Sequence, residues 1–155
     1  MPELLKSIQQ ANRSLAVLID PEKMELDAIE AFAKAIPLTL SSLKKKLQID
    51  QFFFFVGGST MENTDINQWI KKLKEHTDTA VVLFPGSPEQ LSENADGLLF
   101  LSLLSGRNPE FLIAHQVAAA MQLKKTHLEV IPTGYLLIDG GKETAVQRVS
   151  KTVPL

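Results

Sequence analysis

Five short apolar runs, each followed by a turn-forming residue and most then by a helical pattern, constrain this chain more than any other feature. They are Ser14–Ile19 (SLAVLI), Gln51–Val56 (QFFFFV), Thr79–Phe84 (TAVVLF), Gly97–Leu104 (GLLFLSLL) and a run beginning near His127 (HLEVIPTGYLLIDGG). Ser14–Ile19 is continuous rather than alternating, as expected of a strand buried on both faces of a parallel sheet. A helix is predicted from about Leu26, with Leu26, Ile29, Phe32, Ala33 and Ile36 on one face and Pro37 as its stop. A second amphipathic segment carries Leu40, Leu43 and Leu47, with Lys44–Lys46 as a solvated surface. The next helix is predicted from about Asn63 to His76, capped by Asn63 or Thr64, with Ile66, Trp69, Ile70 and Leu73 inward. A short helix is expected around Glu89–Glu93. Asn108 and Pro109 then open a fourth, with Phe111, Ala114, Val117, Ala118 and Met121 as its buried stripe.

Alternation of strands and helices predicts a parallel sheet with helices outside it. Right-handed crossovers leave two arrangements, a barrel or a doubly wound sheet. The 155 residues predict a single domain over 1–155. They fall short of the roughly 250 that a complete eight-unit β/α barrel needs.

Composition removes several function classes. Sixteen basic against eighteen acidic side chains leave a net charge of −2, unlike the basic face of a nucleic-acid binder. Cysteine is absent, which removes disulfides, thiolate metal sites and a cysteine nucleophile. No apolar run approaches the roughly 18 residues of a membrane span. The opening segment MPELLKSIQQANRS lacks the apolar stretch of a signal peptide.

In β/α folds the chemistry sits at the carboxyl ends of the strands. Asp20 follows the first run; it either caps the turn at Pro21 or serves as a hard oxygen ligand for Mg²⁺. Gly57-Gly58-Ser59-Thr60 follows the second, either as a loop whose backbone N–H groups approach a phosphate or as a plain turn. Ser87 follows the third. Ser105, Arg107 and Asn108 follow the fourth, and the Arg107 guanidinium suits either a phosphate or a neighbouring carboxylate. His76, His115 and His127 are scattered without metal-ligand spacing, and His115 reads as a packing histidine. Trp69 and the Phe52–Phe55 run read as core, with an apolar groove for a long hydrocarbon as the alternative. These residues predict a β/α protein for a phosphorylated ligand; they do not specify a reaction.

The strings LIDPEK (18–23), FFFFVGGST (52–60), VVLFPGSPEQLSENADGLLFLSLLSGRNPEFLI (81–113) and EVIPTGYLLIDGG (129–141) resemble, in order, the geranylgeranylglyceryl phosphate synthase family, which includes the bacterial heptaprenylglyceryl phosphate synthases. The resemblance implies a β/α (TIM) barrel, here an incomplete one of about five β/α units. It implies a Mg²⁺-dependent prenyltransferase of phospholipid biosynthesis. Such an enzyme joins sn-glycerol 1-phosphate to a prenyl diphosphate, geranylgeranyl diphosphate foremost, and releases diphosphate. Asp20 matches the family's metal aspartate and Ser59 its second metal-site position. Lys23, Gly57, Gly58, Thr60, Ser105 and Arg107 are the implied contacts to diphosphate and prenyl chain. Position 18 is Leu where some bacterial members carry a lysine for glycerol phosphate, so that contact does not transfer.

Family members continue past the fifth strand with Gly-rich segments that hold glycerol phosphate. The chain is therefore expected to carry the metal half and part of the prenyl half of the site. A cytoplasmic homo-oligomer acting near the membrane surface, with no nucleic-acid partner, is the implied setting. Two readings from other classes stand beside it. One is a non-catalytic half-barrel that binds diphosphate or self-associates. The other is a different phosphate-binding β/α enzyme.

Overall fold

A computed structural model describes residues 3–59 and 65–155, apart from the side chains of Pro37, Leu38 and Leu43. The expected caps Asn63 and Thr64, and the candidate contact Thr60, lie outside the described residues. The elements, in chain order, are α1 (Glu3–Gln10), β1 (Ser14–Ile19), α2 (Ala28–Leu47), β2 (Gln51–Val56), α3 (Ile66–Lys74), β3 (Val81–Leu83), β4 (Gly97–Leu103), a π turn (Glu110–Ala114) running into α4 (His115–Leu123), β5 (Glu129–Tyr135) and α5 (Ala145–Ser150). The five strands form one sheet in the order β1-β2-β3-β4-β5, and every neighbouring pair is parallel. A doubly wound sheet reverses its strand order at a switch point. This sheet does not, so it is the barrel arrangement, left incomplete.

The register sorts the strand residues onto two faces. Val17, Phe54, Val81 and Leu98 point outward into a core shared with Ile29 and Ala33 of α2 and with Trp69, Ile70 and Leu73 of α3. Burying each such side chain contributes about 1.5–3 kcal/mol. Phe53, Val82, Leu99 and Ile131 point to the concave inner face. Leu4, Leu5 and Ile8 of α1 pack against this second cluster. The Glu129 carboxylate of β5 accepts hydrogen bonds from the Leu4 and Leu5 backbone N–H groups at 2.8 and 2.6 Å. A carboxylate at a helix N-terminus satisfies orphan donors and opposes the helix dipole.

Several expectations need correction. β1 is not buried on both faces: Leu15, Val17 and Ile19 pack on the outer core, while Leu18 is 56% exposed on the inner face. β1 is an edge strand, and half of its apolar run faces the open side of the sheet. Pro37 does not end its helix. Ile29, Ala33 and Leu40 form one buried stripe along a continuous 20-residue helix. That packing outweighs the cost of a helical proline, about 3 kcal/mol. Leu47 at its end is exposed rather than on the buried face, and Lys44–Lys46 are exposed as expected. α3 is capped by Asp65, whose side chain accepts from the Asn67 and Gln68 N–H groups.

No helix forms over Glu89–Glu93; among the described residues only turns lie between β3 and β4. Gln90 is the reason: its side chain reaches back to the Gly58 carbonyl and the Gly86 N–H, and holds the segment as a loop.

The expected stripe of the fourth helix is also displaced. Val117 and Met121 are exposed, while Ala119 and Leu123 are buried. The π turn is the cause. The His115 N–H bonds to the Glu110 carbonyl five residues back, so the first turn is underwound. Phe111, His115, Ala119 and Leu123, spaced by four, then face inward. Two helices were absent from the sequence-based expectation. One is α1. The other is α5, which begins with a Thr144/Gln147 capping box.

Candidate functional site at the carboxyl ends of the strands

The Asp-Pro turn after β1 and the Gly-Gly-Ser turn after β2 lie side by side, because β1 and β2 are paired in register from Ser14↔Gln51 to Ile19↔Val56. The Gly57 N–H donates to the Ile19 carbonyl at 3.1 Å and ties the two turns together. The loop after β3 locks onto them from the other side. A Cβ on Gly57 would lie 2.0 Å from the Phe84 carbonyl oxygen, and one on Gly86 would lie 2.3 Å from the Gly58 carbonyl oxygen. Only glycine permits this approach of three backbones. Gln90 reinforces it: its Oε1 accepts from the Gly86 N–H at 2.9 Å, and its Nε2 donates to the Gly58 carbonyl at 3.2 Å.

These turns rim a cavity of about 250 Å³. Asp20, Lys23, Gly57, Gly58, Ser59 and Ser87 supply its polar lip. Below the lip the wall is apolar. Phe84, Leu101 and Tyr135 line it from the inner face, and Leu91, Ala119 and Leu123 from the outer side. Phe84 stacks on Phe55 with centroids 6.2 Å apart and meets Tyr135 edge-on at 5.7 Å. Because a loop stands where a helix was expected after β3, a groove opens between that loop and α4. His115 lines this groove with its ring edge-on to Phe111, centroids 4.7 Å apart, which is the packing role expected of it. The Gln116 side chain donates to the Leu101 and Phe111 carbonyls and fixes α4 to β4.

Asp20 takes the turn-capping alternative open in the sequence, with its carboxylate at the cavity. Its Oδ1 accepts from the Glu22 N–H at 3.2 Å, an Asx turn. Its Oδ2 lies 2.7 Å from Lys23 Nζ, and the carboxylate lines the cavity. Hydrogen bonding and charge from Asp20 hold the Lys23 pKa above the ordinary lysine value. The Glu89 carboxyl is held below its ordinary range, chiefly by the Ser87 hydroxyl and then by backbone hydrogen bonding.

Lys23, Gly57, Gly58 and Ser59 therefore converge with Asp20 at one rim. Ser105 and Arg107 do not line the cavity. The Ser105 Oγ accepts from the Leu137 N–H at 2.8 Å and joins the loop after β4 to the segment after β5. Ser87, a strand-end candidate, lines the same rim, whereas Gln90 was not among the candidates. Gln90 lies mid-loop, and nothing local to it signals a bridge to a glycine 32 residues earlier.

The sheet, its outer helices and a cavity at the carboxyl ends of the strands define an incomplete β/α barrel with its candidate site where that fold places chemistry. The family model described as PcrB family matches residues 9–154, and the chain belongs to that family. It is 48% identical over 153 residues to the geranylgeranylglyceryl phosphate synthase of Flavobacterium johnsoniae, covering 99% of this chain and 59% of that protein. It is 33% identical to the synthase of the same name from Korarchaeum cryptofilum, again covering 59% of it. Among solved structures it superimposes on wild-type GGGPS from Thermoplasma volcanium with a TM-score of 0.78 at 32% identity, covering 100% of this chain and 59% of that one. On the synthase from Thermoplasma acidophilum, solved in complex with sn-glycerol-1-phosphate, the TM-score is 0.76 at 31% identity, covering 99% and 57%. The chain thus spans about 59% of the length of these curated relatives.

Proposed function

We propose that this chain carries the prenyl-diphosphate portion of a prenyltransferase that joins the C3 hydroxyl of sn-glycerol 1-phosphate to C1 of a long prenyl diphosphate, geranylgeranyl diphosphate foremost, and releases diphosphate. The observation that supports the reading most is the juxtaposition of two chemistries in one cavity. A lip of carboxylate, ammonium, hydroxyl and glycine backbone sits directly above an apolar groove. An amphiphile with a polyanionic head and a hydrocarbon tail matches that profile.

The tail lies along the apolar wall of Phe84, Leu91, Leu101 and Ala119. The head lies at the lip. As the allylic C–O bond breaks, negative charge gathers on the diphosphate oxygens, and the Lys23 ammonium and the strand-end donors face that charge. The Asp20 carboxylate and Ser59 hydroxyl are hard oxygen donors of the kind Mg²⁺ takes, and they are the residues that would hold it at the lip. When bound, Mg²⁺ would neutralise charge on the departing diphosphate. Glycerol 1-phosphate as acceptor follows from the Thermoplasma acidophilum relative. Among the described residues no helix is long and apolar enough to cross a membrane. We place the reaction in the cytoplasm, at the membrane surface, in a homo-oligomer.

The test is direct. The chain is incubated with glycerol 1-phosphate, labelled geranylgeranyl diphosphate and Mg²⁺, and lipid is extracted. Prenylated glycerol phosphate supports the transferase reading. Diphosphate binding without product turns the assignment to a half-barrel that binds the prenyl donor only. Neither product nor binding overturns the proposal.

A further inference from the structure

β4 lacks a partner strand along half of one side. β3 is three residues long and pairs with β4 only through Val82↔Gly97 and Leu83↔Leu98. β4 runs on to Leu103, paired with β5 over its whole length. Carbonyls of successive strand residues point to opposite neighbours. The Leu104 N–H points to β5, where it donates to the Tyr135 carbonyl, so Leu101, three residues earlier, directs its carbonyl to the side that β3 has left. The chain after β3 does not return to it, because Gln90 and the Gly58–Gly86 approach hold that loop against the turn after β2. A carbonyl inside the fold then needs a donor from elsewhere.

Gln116 of α4 supplies it. Its Nε2 donates to the Leu101 carbonyl and, at 3.5 Å, to the Phe111 carbonyl of the π turn. One amide thus bridges the unpaired side of β4 and the underwound turn that opens the helix. Leu101, Phe111, Gln116 and Ala119 all line the apolar groove. The side-chain oxygen of Gln116 is buried and finds no hydrogen-bond partner among the described residues. An apolar residue of the same length would line a hydrocarbon groove without that penalty, so the N–H groups are what the position requires.

We propose that Gln116 is a positioning residue for the prenyl tail: by clamping β4 to the π turn it fixes the width of the groove beside Leu101. The inference rests on the prenyl-transfer reading and assigns a residue to the tail half of its site. The lip that faces the diphosphate is built by the turns after β1, β2 and β3, whereas the hydrogen bonds of Gln116 go to β4 and the π turn. Its effect therefore falls on the tail and spares the head.

The test measures calorimetric binding of two non-hydrolysable ligands to the 155-residue chain with Mg²⁺, geranylgeranyl and dimethylallyl S-thiolodiphosphate. They share a head, so the ratio of their affinities reads the tail alone. Wild type is expected to prefer the long ligand. Gln116→Met keeps the length of the side chain and loses its N–H groups. It should cut the ratio at least about tenfold, with the short ligand bound as in wild type. Gln116→Glu has no donor when ionised and regains one O–H when protonated, so its ratio should recover as the pH falls from about 8 to about 5, while that of wild type stays level. A packing role alone would not produce that recovery, and it decides the outcome should Gln116→Met fail to fold. An undiminished ratio in folded Gln116→Met overturns the proposal. So does an equal loss for both ligands, or a Gln116→Glu ratio indifferent to pH. Each of these leaves the prenyl-transfer reading standing. A wild type with no preference for the long ligand overturns that reading and the proposal together.

Discussion

Gly86 approaches the backbone of Gly58 so closely that a Cβ on Gly86 would lie 2.3 Å from the Gly58 carbonyl oxygen. The two glycines belong to loops after neighbouring strands, and their contact shapes the polar lip of the cavity. Gly86→Ala should therefore destabilise the chain by at least about 2 kcal/mol in urea unfolding, since backbone rather than a flexible side chain must yield. Gly140→Ala is the control. A Cβ there meets nothing within 4 Å, and stability should change by less than about 0.5 kcal/mol. Equal effects at the two positions would contradict the interlocked loops.

Glu129 fastens α1 beneath the inner face through the Leu4 and Leu5 N–H groups. Hydrogen bonds to a charged acceptor contribute about 1.5–3 kcal/mol. Glu129→Ala should cost stability of that order and should speed amide exchange across residues 3–10 more than in α3. Unchanged exchange in α1 would show that Leu4, Leu5 and Ile8 hold the helix by packing alone.

Lys23 competes with any cation for Asp20, its Nζ 2.7 Å from the carboxylate. The lysine side chain is 79% exposed, so solvent screens the pair and leaves it weak. In the absence of diphosphate, Lys23→Ala should tighten Mg²⁺ binding by up to about fivefold. Calorimetric titration with MgCl₂ measures this, and weaker Mg²⁺ binding in the variant would count against Asp20 as the ligand.

The strands and the rim were legible because their signals are local. An apolar run closed by Asp-Pro or Gly-Gly marks a strand end whatever lies elsewhere in the chain, and Asp20 and Ser59 follow from those ends, whereas Lys23 follows only from the family resemblance. What stayed hidden depends on distant partners. Gln90 converts an expected helix into a loop by reaching Gly58, and that loop opens the groove beside α4. The π turn rotates α4, so a stripe counted at 3.6 residues per turn named Val117 and Met121 as core when they are exposed. The helix Ala28–Leu47 passes Pro37 because its buried stripe spans both sides of it. α5 is a different case: Thr144 and Gln147 carry a capping box in the sequence itself, and the signal was there to be read.

In the proposed site the carboxylate at the end of β1 and the hydroxyl at the end of β2 would hold a magnesium ion against diphosphate. The most direct measurement is calorimetric binding of inorganic diphosphate with and without Mg²⁺, to wild type, Ser59→Ala and Asp20→Asn, with thermal unfolding run alongside. The account predicts Mg²⁺-dependent binding in wild type, a modest loss for Ser59→Ala and complete loss of the Mg²⁺-dependent part for Asp20→Asn, with folding intact in all three. Undiminished Mg²⁺-dependent binding by folded Asp20→Asn would contradict it.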